Sequence, residues 1–353
     1  MYSFKNDYSE GAHPAILQKL METNMLQEEG YGYDSFTERA VRLIREQMNK
    51  PDADVHLLMG GTQTNLTAIS AFLKPWEAVI AAETGHIFVN EAGAIEATGH
   101  KVITVPGTEG KLTCDAIHPV VAQLTDEHTV EPKLIYISNP TEIGTIYSKQ
   151  ELKSLRDYCT EHGLYLYVDG ARLASALSAK DNDVTISELA SMVDAFYIGG
   201  TKSGAMFGEA LVICHKDLKQ GFRMNMKQKG AMLAKSRLLG IQFSELFSNH
   251  LMYDLAEHAN AMAERLQKGI EEQGFSFLAH STTNQVFPIL PHAYIEKLQE
   301  QFLFYVWEKI DDTHSAVRLI TSWATDVKQV DAFLETLKAI RKEINITDSS
   351  VLV

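Results

Sequence analysis

The chain has 353 residues and a mass of 39.4 kDa, which is about two domains' worth of polypeptide. With 45% hydrophobic and 22% charged residues, its composition is that of an ordinary globular protein, so disordered, collagen-like and low-complexity readings drop out. Asp and Glu number 46 against 32 Lys and Arg, a net charge of −14 that argues against nucleic-acid or anionic-membrane partners and requires any bound phosphate to be held locally.

The opening stretch MYSFKNDYSEGAHP is polar and carries Asp7 and Glu10, so it does not read as a signal peptide. No apolar run approaches the ~20 residues that a membrane helix needs. Short apolar, β-branched runs bounded by turn residues follow at 55–59, 79–82, 102–105, 134–138, 164–168, 195–198 and 210–214, and each reads as a buried strand. Stretches of helical period, including Thr62 to Phe72, Asp115 to Leu124 and Lys149 to His162, lie between most of them. Such alternation implies a doubly wound, mostly parallel seven-stranded sheet covered on both faces. Residues 199–209 are too few for a crossover helix, so strand 210–214 is expected to run antiparallel, at an edge.

Beyond about residue 215 the pattern changes to long helical stretches over roughly 228–273, strand-like pieces from Asn284 to Leu290 and Ala316 to Thr321, and a closing helix from Asp326 to Glu343. The expected division is an N-terminal arm over 1–20, a large domain over 21–250 and a small α/β domain over 251–353. Cys114, Cys159 and Cys214 match neither a zinc spacing nor a secreted disulfide framework. A reducing, cytoplasmic compartment and no metal centre are expected.

Three features carry chemistry. Asp169 closes the strand LYLYV and opens DGAR, where a carboxylate faces the crevice at a strand's carboxyl end or else caps a helix. Arg172, one turn on, is a ligand or simply its ion-pair partner. Lys202 stands in GGTKSGAM among small residues that let a ligand approach, although a lysine at a hairpin tip has the same appearance. Thr201-Lys202-Ser203 resembles the end of a phosphate loop, but the glycine required before the lysine is absent and no helix follows. Gly60-Gly61-Thr62 links a strand to a helix, either as an anion cradle or as a plain turn with Thr62 as N-cap.

One cofactor requires all three. Pyridoxal phosphate needs a lysine for its Schiff base, a carboxylate that keeps its ring nitrogen protonated, and a cradle for its phosphate. An aromatic or imidazole ring must also cover the ring face, and His86, following strand 79–82, is placed to do so.

Beyond these features, the sequence resembles the threonine aldolases, fold-type I pyridoxal-phosphate enzymes of the β-eliminating lyase group. The shared strings run in order: NDYSEGAHP, YGYD at 31–34, GGTQTN at 60–65, GHIFVNEAGA at 85–94, SNPTEIGTIYS at 138–148, DGAR at 169–172, GGTKSG at 199–204, TTNQVF at 282–287 and VRLITSWAT at 317–325. The resemblance implies that Lys202 carries the cofactor and Asp169 pairs with its ring nitrogen. It further implies that Gly60, Gly61, Thr62 and Thr201 lie against the cofactor, that His86 stacks on it, and that Arg172 reaches its phenolic oxygen or the substrate carboxylate.

By the same resemblance Arg318 grips the substrate carboxylate, Asn6 and Tyr33 contribute to substrate binding, and His128 stands near the substrate hydroxyl. His86, His128 or a water between them is then the base. Family members are homodimers or homotetramers, which makes Tyr31 to Asp34 and the N-terminal arm candidates for completing a neighbouring subunit's site. Departures occur at Asn6, where a serine is usual, at Gly200-Thr201-Lys202-Ser203, and in FRMNMKQKGAMLAKSR, where Lys227, Lys235 or Arg237 stands in for a usual basic stretch.

The implied reaction is retro-aldol cleavage of a β-hydroxy-α-amino acid to glycine and an aldehyde. Its rivals are β-elimination from another amino acid, a lysine-dependent aldolase without cofactor, and a cofactor-free protein that binds a small anion.

Overall fold

A computed structural model describes residues 1–123 and 126–350. Seven strands form the central sheet: β1 Asp54–Leu58, β2 Glu77–Ala82, β3 Val102–Val105, β4 Glu131–Ser138, β5 Tyr165–Asp169, β6 Ala195–Gly199 and β7 Glu209–Ile213. Their order is β1-β7-β6-β5-β4-β2-β3. Six run in one direction and β7 runs against them, antiparallel to both β6 and β1. The short connection before β7 does force an antiparallel hairpin with β6. It does not put β7 at the edge, however, because β1 pairs with its far side from Asp54↔Ile213 to Leu58↔Glu209. Connection length determines the hairpin partner, whereas the outer neighbour comes from a distant part of the chain.

Every residue of β2, β6 and β7 is buried, as unbroken apolar runs demand when both sheet faces are covered. Side chains alternate between two cores. Ile80, Ile135, Ile137, Leu166, Val168, Phe196 and Ile198 enter one, with the helices Ser35–Met48, Lys149–His162 and Arg237–Leu246. Val79, Leu134, Tyr136, Tyr167 and Tyr197 enter the other, with the helices Gly61–Phe72 and Phe222–Gln228. The helix foreseen from Asp115 runs over Cys114–Ala122, and Leu124 lies outside the described residues. So do residues 351–353 at the end of the expected small domain.

A third core gathers Phe4 with Ala263, Leu266, Ile270, Leu290, Val317, Phe333 and Leu337. Around it lie β8 Gln285–Val286, β9 Ile289–Pro291, β10 Tyr305–Lys309 and β11 His314–Ile320, with β11 paired to the other three. The helical region expected over 228–273 is broken into pieces, the longest being Leu251–Glu271. That helix gives Met252, Leu255 and Ala256 to the first core and Ala263, Leu266 and Ile270 to the third. The first twenty residues are not a free arm. Tyr2–Ser3 pairs with Phe302–Leu303, Phe4 is fully buried, and a helix starts at Pro14.

In chain order the sheet grows outward from β2 to β3 and then the other way from β4 through β6, so the growth direction reverses between β2 and β4. Ligand crevices form at such reversals, beyond the carboxyl ends of the strands. On the same edge of the sheet, two glycines set the distance between the ends of β5 and β6. A Cβ on Gly170 would lie 1.9 Å from the carbonyl oxygen of Tyr197, and one on Gly199 would lie 2.1 Å from that of Ala171. Both contacts are with backbone, which cannot swing away, so Gly170→Ala must part β5 from β6. It is expected to lower unfolding stability by at least about 2 kcal/mol, measured by denaturant titration; wild-type stability in that variant contradicts the close approach.

Candidate active site

A cavity of about 350 Å³ opens at this point of the sheet, lined among others by Gly60, Gly61, His86, Asp169, Arg172 and Lys202. Asp169 is buried at its base. Oδ2 accepts from the Tyr136 hydroxyl at 2.6 Å and the Asn65 amide at 3.0 Å, while Oδ1 accepts from the Ala171 N–H at 3.0 Å. Burial alone would raise its pKa, but His86 and the hydrogen bonds of Tyr136, Tyr197 and Asn65 hold it below the ordinary value, so it stays ionised. It does not cap a helix. The short helix after it begins at Leu173 with Arg172 in the cap position.

Asn65 joins Asp169 to a second acid. Its amide also donates to Glu91 Oε1 at 2.8 Å, its carbonyl accepts from Tyr167, and the same Glu91 oxygen lies 2.8 Å from His86 Nδ1. Burial works against a charged His86, but Glu91 and Asp169 outweigh it and raise the pKa. Ligand atoms of His86, Glu91 and Asp169 lie within 4.8 Å of one another, close enough to consider a metal ion. Asp169 and Glu91 already share the Asn65 donor, however, and the imidazole already has its partner in Glu91. That arrangement orients a ring over the cavity.

Lys202 lines the same cavity from the loop after β6. Burial, then the nearby Arg172, lower its pKa, with Asp7, Asp169 and Glu209 opposing. Glu209, the first residue of β7, lies behind it, accepting from the Gly200 N–H at 3.1 Å and the Thr201 hydroxyl at 2.9 Å. Burial pushes Glu209 up to about 8. The helix Gly61–Phe72 starts at the cavity wall with extended Gly60 as its N-cap, so Thr62 is its second residue and not the cap. Free N–H groups of that first turn suit an anion.

Two arginines differ in engagement. Arg172 is clamped by buried Asp7, with Nε to Oδ2 at 2.7 Å and Nη2 to Oδ1 at 3.1 Å. Asp7 also accepts from Asn284 at 2.9 Å, so the N-terminal segment and the third core's edge brace one guanidinium. Arg318 on β11 borders an adjoining cavity with Lys202 and His86, 4.6 Å from the Trp307 ring centre and 5.4 Å from that of Tyr305. Its Nε is buried and, among the described residues, has no hydrogen-bond partner.

Other expected residues are not brought here. His128 precedes β4, whose eight residues span about 23 Å at ~3.3 Å each, and the cavity is at the opposite end of that strand. A family motif match identified it, and strand direction excludes it. Asn6 turns back to bind Tyr8 N and the Ser9 hydroxyl, while Tyr8 lines the cavity. Tyr33 is exposed beneath Arg223, outside its own chain's cavity. Lys227 lies over Tyr31, and Arg237 bonds the carbonyls of Thr23 and Leu26. Within the chain, the N-terminal segment braces Arg172 through Asp7.

Sequence reasoning missed Asp7, Asn65, Tyr136, Glu91, Glu142 and Glu209. Two had a legible signal: Glu209 opens the otherwise apolar strand EALVI, and Glu142 closely follows a strand's carboxyl end.

The Beta-eliminating lyase family model matches residues 6–292, and the chain belongs to that family. It is 51% identical to the Leishmania major threonine aldolase, with a TM-score of 0.95 over 96% of this chain and 99% of that one. It is also 29% identical over 343 residues to the low specificity L-threonine aldolase of Pseudomonas aeruginosa, covering 96% of this chain and 97% of that protein. An aromatic aminotransferase of Pyrococcus horikoshii shares the fold, with a TM-score of 0.70 at 18% identity over 98% and 96% of the two chains. The architecture is fold type I of the pyridoxal-phosphate enzymes.

Glu209 carries a pH signature. Between about 4.5 and 8 the folded state retains a proton on this carboxyl that the unfolded chain has lost, so its contribution to stability falls as pH rises through that window. In cofactor-free protein, Glu209→Gln is expected to flatten this dependence by up to about 1.4 kcal/mol per pH unit, checked by denaturant midpoints from pH 5 to 8. An unchanged slope shows that Glu209 is ionised in the fold.

Proposed function

We propose that this chain is a pyridoxal-phosphate-dependent threonine aldolase that cleaves threonine or allo-threonine to glycine and an aldehyde. The observation that carries the reading is the ionised, triply hydrogen-bonded Asp169 at the base of the cavity into which Lys202 projects from the next strand end. The likeness to the Leishmania and Pseudomonas enzymes supports it.

The residues present fit the cofactor. Lys202 is its attachment point, the first turn at Gly60, Gly61 and Thr62 meets its phosphate, and His86, fixed by Glu91, covers its ring. Once bound, pyridoxal phosphate supplies an electron-accepting ring that stabilises the pair released at Cα. Asp169 keeps the proton on the ring nitrogen, a task that requires a carboxylate still ionised when buried. Burial favours the neutral amine of Lys202, the form able to bond covalently or move a proton.

Arg318 binds the substrate carboxylate with a guanidinium whose Nε has no partner within the protein among the described residues. Tyr305 and Trp307 hold its plane. Arg172, already paired with Asp7, contributes positive field to the same cavity and braces its wall. Fixing the carboxylate fixes the direction of the Cα–Cβ bond, which orients it for cleavage.

The same proposal makes the enzyme a homodimer or homotetramer. Supporting this, Met59, Phe88, Val89 and Met206 are large apolar residues left exposed in the segments that follow the strand ends. It also assigns a reducing, cytoplasmic setting, consistent with three free cysteines, and a large domain over 21–250 with a small one over 251–353. Among the described residues no helix is long and apolar enough to cross a membrane.

Incubation with threonine should yield glycine and acetaldehyde in equal amounts; pyruvate and ammonia instead would mark a β-eliminating enzyme. Lys202→Ala is expected to lose the visible absorbance of the attached cofactor. Arg318→Ala is expected to keep the colour and raise KM by ~10²-fold or more, from loss of a charged contact worth about 3 kcal/mol. A coloured, active Lys202→Ala protein would sink the assignment.

A further inference from the structure

Cleavage requires a base at the substrate's β-hydroxyl, and neither histidine expected there is suited to the task. His128 is at the wrong end of β4. The Nδ1 of His86 is held by Glu91, an anchor that turns the imidazole over the cavity as the cover for the cofactor's ring.

Glu142, in the loop after β4, borders both the part of the cavity with Asp169 and Lys202 and the part with Arg318. One of its oxygens is anchored. Oε1 accepts from the Ser138 hydroxyl at 2.7 Å and from the His86 N–H at 3.0 Å. Both of these contacts fall on Oε1 and neither uses Oε2. The loop is held from both sides: Thr141 N–H donates to the Thr145 carbonyl at 2.8 Å, the Gln285 amide to the Thr141 carbonyl at 3.3 Å, and the Ser281 hydroxyl to the Gly144 carbonyl at 3.1 Å. The carboxylate is therefore fixed before any ligand arrives, as a proton acceptor needs to be.

Resting on the threonine aldolase reading, we propose that Glu142 is the catalytic base, its Oε2 taking the proton of the substrate's β-hydroxyl. As Cα–Cβ breaks, the O–H pair becomes the second C–O bond of the aldehyde and the proton passes to Oε2. The Cα–Cβ pair remains at Cα, where pyridoxal phosphate, once bound, would supply the electron-accepting ring. A proton from solvent then completes glycine, and Glu142 returns its own to solvent. Burial raises the Glu142 pKa above the ordinary carboxyl value despite the Ser138 hydrogen bond, which makes it a stronger base than an exposed acid.

Glycine, which has no β-hydroxyl, supplies the internal control. In holoenzyme carrying Glu142→Gln, the amide oxygen retains the Ser138 and His86 contacts while basicity is lost. The visible cofactor band and its response to glycine are expected to stay as in wild type, and exchange of the glycine Cα proton with deuterated solvent to stay within about threefold. Threonine cleavage is expected to fall at least ~10²-fold. Cleavage near the wild-type rate overturns the proposal, as does a parallel loss of glycine exchange and cleavage, because either leaves Glu142 only a shaping role. If the Gln variant does not retain cofactor, Glu142→Asp undergoes the same comparison, with cleavage reduced more than glycine exchange as the expected result and equal reduction as the contrary one. Wild-type protein that responds to glycine yet cleaves no β-hydroxy amino acid overturns the aldolase reading itself, a distinct outcome.

Discussion

A buried, ionised carboxylate governs the design of this molecule. Removing a carboxylate from water costs several kcal/mol unless donors replace the solvent, and Asp169 has three within 3.0 Å. Supplying them dictates much of the surrounding core. Tyr136 on β4, with Tyr167 and Tyr197 on the neighbouring strands, faces the core beneath the cavity, and burial keeps all three hydroxyls protonated and able to donate. Asn65 then ties this acid to Glu91 and so to His86. Core packing and site electrostatics are here the same set of side chains.

The fold was legible because burial on both faces leaves a plain trace: seven apolar runs, separated by helical periods, all became strands of one sheet. The place of β7 was half legible. Nine intervening residues dictate a hairpin with β6, but pairing with β1, more than 150 positions earlier in sequence, leaves no local mark. Asp169, Lys202, Gly60 and Gly61 could be found because strand ends and glycines are visible in one dimension. Glu142, Glu209 and Asp7 act through partners remote in sequence or through burial, which only the folded chain reveals. His128 shows the converse: it sits three residues before a correctly read strand, and the strand's own direction carries it to the far end of the sheet.

Two structural units contribute to one substrate-sized space. The sheet supplies Asp169, Lys202 and the helix start at Gly61; the smaller unit supplies Arg318 with its two aromatic neighbours. Between them runs the N-terminal segment, which buries Phe4 in the third core and, three residues later, presents Asp7 to Arg172 on the sheet side and Asn284 on the other. A short, irregular piece of chain thus braces the sheet side of the cavity against the edge of the third core.

The helix Leu251–Glu271 adds a mechanical corollary. Its early turns belong to the first core and its later turns to the third, so neither core can melt without stripping one end of a continuous 21-residue rod. Two bodies strung on a loop lose order one after the other; bodies sharing a rod lose it in a single step. Heat or denaturant should therefore meet one cooperative transition across the whole chain, and damage far out in the smaller unit would be felt at the cofactor's end of the molecule.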